Sequence, residues 1–101
     1  MRITSGKYKG RLLVAAKMIR PTEDKVRKAL FDILGDIRGF SFLELFAGSG
    51  AVGLEALSRG VSDLALVEYN SDCLLAIRQN IKSLGESSCA VYPKEAGFAI
   101  R

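Results

Sequence analysis

The sequence predicts an α/β fold on a mainly parallel sheet, the opening half of a doubly wound architecture preceded by a basic β-hairpin. Three observations carry this. Short apolar runs alternate with stretches of helical periodicity in the order strand, helix, strand, helix, strand, which right-handed crossovers onto one sheet accommodate. The turn after the first sheet strand is Gly48-Ser49-Gly50-Ala51-Val52-Gly53, a full G-x-G-x-x-G placed between strand and helix. A composition of 49% apolar and 26% charged residues over 101 positions, without a low-complexity tract, is that of a globular chain and excludes disorder.

Each element has its own signal. Residues 1–14 read as two short strands, Ile3 to Ser5 and Arg11 to Val14, around a turn with Gly6 and Gly10 as its flexible points. After Arg20-Pro21, the residues Val26, Ala29, Leu30, Ile33 and Leu34 fall at helical spacing and predict an apolar face. Thr22 serves as N-cap, Glu23 and Asp24 sit in the first turn, and Gly35 is the stop. The run from Phe40 to Phe46 predicts a buried parallel strand ending at Ala47. The next helix turns Val52, Leu54, Ala56 and Leu57 to the sheet and ends at Gly60. A second strand spans Leu64 to Val67. Ser71 caps a third helix carrying Leu74, Ile77, Ile81 and Leu84 on one side, Gly85 closes it, and a third strand follows from Cys89 to Tyr92. Residues 1–19 form the basic extension and 20–101 the nucleotide-type half domain.

Bulk properties narrow the function. The longest apolar runs fall far short of the ~20 residues that span a bilayer, and no apolar signal core follows the basic amino terminus, so a cytoplasmic protein without a membrane partner is expected. Cys73 and Cys89 stand without any histidine, which excludes zinc-finger spacing and a disulfide framework; two reduced buried thiols are expected. Arg2, Lys7, Lys9, Arg11, Lys17 and Arg20 put six positive charges and no acid into the first 20 residues. The chain as a whole nets +4, so the remainder is net negative and the basic character is a local patch. Phosphate backbones are the commonest partner of such a patch, and Tyr8 beside Lys7, Lys9 and Arg11 suits an unstacked RNA base. Tyr8 reads equally well as a packing residue.

The glycine loop lets backbone approach a ligand closely, and Glu68, twenty residues past Gly48, stands where an acid accepts ribose hydroxyls. These features alone fit NAD and S-adenosyl-L-methionine equally. Glu44 separates them, because it lies at the carboxyl end of the strand, where its carboxylate should point into the ligand crevice. At about 4 Å two like charges cost on the order of 4 kcal/mol at an effective dielectric near 20, so a diphosphate is repelled and the ammonium and sulfonium of the methyl donor are attracted. The alternative for Glu44 is an acid satisfied by nearby backbone amides.

Three segments together, MRITSGKYKG, RPTEDKVRKALFDIL and ELFAGSGAVGLEALSRG followed by VE, resemble the bacterial small-subunit (16S) ribosomal RNA guanine-N2 methyltransferases. The pattern RPT-x-x-x-VR-x-A-x-F is the most selective part. The resemblance implies a Rossmann-like class I methyltransferase fold, S-adenosyl-L-methionine as cofactor, and small-subunit ribosomal RNA or the assembling small subunit as partner. It also implies that Arg20, Thr22, Arg27 and Phe31 fold over the methionine end of the donor. Glu44, Phe46, Gly48, Ser49 and Gly50 then line its amino-acid and ribose portions, and Glu68 takes the ribose hydroxyls. Tyr69 or Asn70 borders the adenine, Glu95 stands in for an aspartate beside the adenine amine, and Arg2, Lys7, Tyr8, Lys9 and Arg11 meet RNA. Relatives that methylate exocyclic amines carry an Asp/Asn-Pro-Pro-Tyr/Phe loop that positions the amine. Here the only prolines are Pro21 and Pro93, so no catalytic residue is assigned and the chain reads as a truncated product or fragment. Weak or absent donor binding, no methylation by this chain alone, no metal, and self-association through an unpaired sheet edge are expected. Two competing readings are an NAD-binding oxidoreductase fragment, on the glycine fingerprint and Glu68, and a non-catalytic RNA-binding module, on the basic extension.

Overall fold

A computed structural model of the chain describes residues 1–16 and 24–95. Three helices and three strands alternate: α1 (Asp24–Leu34), β1 (Ser41–Leu45), α2 (Ala51–Ser58), β2 (Asp63–Val67), α3 (Ser71–Leu84) and β3 (Cys89–Tyr92). The strands form one parallel sheet in the order β1-β2-β3, so β1 lies at an edge. Register places Phe42, Leu64 and Cys89 in one row, Leu43, Ala65 and Ala90 in the next, and Glu44, Leu66 and Val91 after that. Successive rows face opposite sides of the sheet. The rows holding Leu64 and Leu66 are packed under the helices, whereas Leu43, Leu45, Ala90 and Tyr92 are exposed on the other face.

The core joins Leu54, Ala56 and Leu57 of α2 to Leu64 and Leu66 of β2, Ile77 of α3 and Phe31 of α1. Ile3 and Leu13 from the amino-terminal segment belong to the same core. Each such aliphatic or aromatic side chain contributes roughly 1.5–3 kcal/mol of transfer free energy. No helix among the described residues is long and apolar enough to cross a membrane.

Four expectations are corrected. The run from Phe40 to Phe46 is not a buried strand: β1 covers Ser41–Leu45 at the sheet edge, and Phe40, Leu43, Leu45 and Phe46 are exposed because no strand or helix among the described residues covers that side. The predicted apolar face of α1 is turned outward: Val26, Ala29, Leu30, Ile33 and Leu34 are all exposed, Ile33 at 83%. The buried positions are Arg27 and Phe31, one helical turn apart. An arginine is admitted inside because Nε meets the equally buried Glu55 at 3.1 Å, while its Nη2 donates to Asp24 at 2.9 Å and to the Arg2 carbonyl. A buried charge is tolerated when it is paired and hydrogen-bonded in this way.

The amino-terminal hairpin is reduced to a single antiparallel bridge, Arg2 to Leu12, around a run of turns at residues 5–10. Across the bridge the Ile3 amide donates to the Arg11 carbonyl, the Gly10 amide to the Ile3 carbonyl and the Leu13 amide to the Met1 carbonyl, so the two segments do pair, and other backbone groups bond the body of the fold. The Thr4 and Ser5 amides donate to the Glu55 carboxylate at 2.9 and 3.1 Å, the Lys7 amide to the Ser58 carbonyl at 2.9 Å, and Val14 bonds the Asn80 side chain. The N-cap of α3 is Asn70 and not Ser71, the Asn70 side chain accepting from the Asp72 and Cys73 amides. The Thr22 cap, Glu23 and the Lys17 and Arg20 charges lie outside the described residues.

Candidate functional site

The tip of β1, the glycine loop and the end of β2 converge at the carboxyl edge of the sheet. The Ala47 amide donates to the Val67 carbonyl at 3.0 Å and the Gly50 amide to the Ala47 carbonyl at 2.8 Å, which closes the loop against β2. Gly50, at φ +81°, holds the N-cap position of α2 without a side-chain cap. Helix N-termini of this kind present free amides and a positive dipole end. Phe46 also takes a left-handed φ of +56° although it is not glycine, with its ring 79% exposed. Backbone strain held by an exposed aromatic is characteristic of ligand sites, and nothing in the sequence pattern announced it.

Two carboxylates frame this loop. Glu68 accepts the Gly48 amide on Oε1 at 2.8 Å, and the Tyr69 and Asn70 amides on Oε2, both at 2.9 Å. The G-x-G-x-x-G fingerprint and its distant acid are therefore one hydrogen-bonded unit. Glu44 shows the alternative reading of an acid bonded to nearby backbone. It is half-buried on the helix-covered face of β1, with Oε1 accepting the Gly53 amide at 3.0 Å. Burial pushes its carboxyl up to about 7, the Gly53 amide pulls the other way, and the Glu68 charge adds to the upward shift. A Cβ at Gly53 would stand 2.5 Å from Leu66, 2.9 Å from Leu64 and 3.1 Å from the Glu44 oxygen, so only glycine brings this amide to the acid. The site thus presents a partly neutral acid next to a second carboxylate, an arrangement that favours a cationic ligand over a phosphate. No cluster of three or more His, Cys, Asp or Glu able to hold a metal occurs among the described residues.

Residues 1–100 match the family model described as conserved hypothetical protein 95. The chain belongs to that family. Among its curated relatives, YlbH of Bacillus subtilis, provisionally named an rRNA methyltransferase, is 40% identical over 99% of this chain and 56% of its own length. Ribosomal RNA small subunit methyltransferase D of Escherichia coli K12 is 36% identical over 95% of this chain and 50% of the relative. The solved structure of the Escherichia coli protein yhhF, provisionally described as a methyltransferase, superposes with a TM-score of 0.89 at 34% identity, over 99% of this chain and 55% of that one. A precorrin-6Y C5,15-methyltransferase domain from Rhodobacter capsulatus, at 24% identity and a TM-score of 0.76, shares the Rossmann-like fold alone. The chain spans about half the length of the curated relatives it matches.

The family resemblance drew attention to residues that the structure only partly gathers. Glu44, Phe46, Gly48, Ser49, Gly50 and Glu68 meet at the loop, and Tyr69 is 67% exposed beside it. The Asn70 side chain is occupied in capping α3, and Glu95 is exposed beyond β3. Arg27 and Phe31 are not brought to the loop by any described contact. Arg27 is locked on Glu55, and Phe31 lies under the Arg59 guanidinium, 4.9 Å from the ring centroid, at the carboxyl end of α2. Arg20 and Thr22 lie outside the described residues.

Within the basic patch the side chains differ in freedom. Lys7 pairs with Glu86 at 3.2 Å, the Tyr8 hydroxyl donates to the same carboxylate at 2.5 Å, and Arg11 donates to the Ser83 carbonyl at 2.6 Å. The Tyr8 hydroxyl first, then the Ser88 amide and Lys7, hold the Glu86 carboxyl down at about 2 against the upward push of burial. The Tyr8 ring packs against the core, which gives it the packing role. Arg2 donates to the Gly10 carbonyl at 2.9 Å, and the exposed Lys9 side chain makes no bond among the described residues.

Residues missed by sequence reasoning are polar and interior: Glu55, Asn80 and Ser58. Glu55 accepts from Thr4, Ser5, Arg27 and Arg59. Burial alone would raise its carboxyl, yet these donors hold it below the ordinary range. An acid inside AVGLEALS, with Arg59 four positions on, was the available signal.

Proposed function

We propose that this chain is the donor-binding half of an S-adenosyl-L-methionine-dependent methyltransferase acting on the N2 amine of a guanine in small-subunit ribosomal RNA. The observation that carries the reading is the juxtaposition of Glu44 and Glu68 around the glycine loop. Two carboxylates there suit an ammonium and a sulfonium and disfavour the diphosphate of NAD. When bound, the donor supplies an electrophilic methyl group on a sulfonium. Glu44 then faces the cationic amino-acid end, Glu68 offers acceptor oxygens to the ribose hydroxyls, and the loop glycines admit the donor close to backbone. The N-terminal turn, with Lys9 and Arg2 as its most available cations and Lys7 and Arg11 beside them, contacts phosphates of the ribosomal RNA. Self-association through the exposed β1 edge accompanies this reading.

Calorimetric titration with S-adenosylhomocysteine and with NAD tests it. Weak binding of S-adenosylhomocysteine, tighter than any binding of NAD, is expected; tighter NAD binding overturns the reading. In a radiolabelled methyl-transfer assay on immature small subunits, the chain alone is expected to give no turnover.

A further inference from the structure

Asn80 is buried to 2% exposure in the middle of α3, on none of the surfaces that the proposed function uses. Its amide is nevertheless fully employed. Oδ1 accepts the Val14 amide at 2.8 Å, while Nδ2 donates to the Val14 carbonyl at 2.9 Å and to the Ser49 carbonyl at 2.9 Å. Val14 closes the amino-terminal segment, three residues after Arg11. Ser49 is the second residue of the G-x-G-x-x-G loop and is itself buried. One side chain therefore substitutes for a strand partner on the first segment and fixes a peptide of the second.

From this geometry we infer that Asn80 is a positioning residue for the glycine loop, holding the Ser49 peptide in its ligand-ready orientation and tying that orientation to the docked amino-terminal segment. The inference rests on the donor-binding reading of the loop. No other side chain among the described residues bonds the Ser49 carbonyl. The bonds of Ala47 to Val67, Gly48 to Glu68, Gly50 to Ala47 and Gly53 to Glu44 hold the loop on either side of Ser49, and the Ser49 carbonyl is held by Asn80. A buried carbonyl that loses its donor carries the desolvation penalty unrelieved, so without this amide the Ser49 peptide turns to find water and the loop geometry changes. Because the same amide also bonds Val14 at both its N–H and its C=O, losing it frees the Val14 end of the amino-terminal segment together with the Ser49 peptide, whereas the Ser5 and Tyr8 anchors on Ser58 stay in place.

The test compares the unaltered chain with Asn80→Ala and, as control, Ser58→Ala. Ser58 also anchors the amino-terminal segment, its Oγ bonding the Ser5 carbonyl at 2.6 Å and the Tyr8 amide at 2.9 Å, but it does not touch the glycine loop. Amide hydrogen exchange and titration with S-adenosylhomocysteine are measured on each, with Asn80→Ser as the milder truncation should Asn80→Ala fail to fold. The expected result for the Asn80 variant is exchange at Gly48, Gly50 and Val14 at least tenfold faster relative to the Leu66 amide, with affinity at least tenfold lower. Ser58→Ala is expected to leave Gly48 and Gly50 exchange and the affinity within twofold. Loop exchange that stays level with Leu66, or affinity that survives in a variant whose loop has loosened, overturns the inference. Tighter binding of NAD than of S-adenosylhomocysteine by the unaltered chain counts against the donor-binding reading, and the exchange comparison still decides the role of Asn80.

Discussion

Glu44 is a residue whose environment opposes its charge, and the opposition has a measurable sign. Its folded carboxyl titrates near 7 against an ordinary value of 4.5. Between those values the folded chain keeps a proton that the unfolded chain releases, so stability is full below pH 4.5 and declines as pH rises through 7. The shift corresponds to about 3 kcal/mol. Glu44→Gln is expected to remove the decline, matching the unaltered chain at pH 4.5 and exceeding it by up to about 3 kcal/mol at pH 8, with donor affinity lost. Urea denaturation across this range checks it, and an unchanged pH slope would refute the assignment. Glu86 acts in a separate window: its carboxyl is held near 2, so its contribution is present above pH 4.5 and fades as pH falls through 2. The two acids can therefore be read apart in one pH series.

At the level of elements, α1 separates what pattern reveals from what pairing decides. Its inward residues predict that Phe31→Ala, which empties a site 1% exposed, costs about 3–5 kcal/mol, whereas Ile33→Glu at an 83% exposed site changes stability by no more than about 0.5 kcal/mol. Equilibrium unfolding of the two variants distinguishes this orientation from the apolar face read off the periodicity, for which Ile33→Glu would be the damaging change. The alternation of strands and helices was legible because strand length, helical period and glycine stops agree with one another, and β2, β3 and α3 fall within a residue of their predicted bounds. The glycine loop and Glu68 were legible for the same reason, since fixed spacing expresses a fixed turn. What escaped was every feature in which polar groups go inside. Hydrophobic periodicity counts an arginine or an asparagine as outward, and it has no term for Arg27 finding Glu55 or for Asn80 finding two backbone segments. The antiparallel pairing of the two amino-terminal segments is legible in their turn residues, but not that Glu55, Ser58 and Asn80 also bond their backbone.

Among the described residues, helices pack on one side of the sheet and Leu43, Leu45, Ala90 and Tyr92 are exposed on the other. Leu43 at 55% exposure and Tyr92 at 45% lie on the open face, the β1 edge is unpaired among the described residues, and the outward stripe of α1 adds further apolar surface. Surface of this kind recruits partners. The chain is expected to associate with increasing concentration in light scattering, and Leu43→Lys to reduce that association without lowering thermal stability; a stable, dispersed monomer in the unaltered chain would contradict this. Across the covered side, the interior reaches the crevice through the bare α-carbon at position 53. The layer between α2 and β2 is thin enough that the Gly53 amide reaches Glu44 only because position 53 carries no side chain against Leu64 and Leu66. Bulk added at either leucine would push α2 off the sheet and part the amide from the acid, so the packing of two buried aliphatic side chains sets the spacing of a polar pair at the sheet's end.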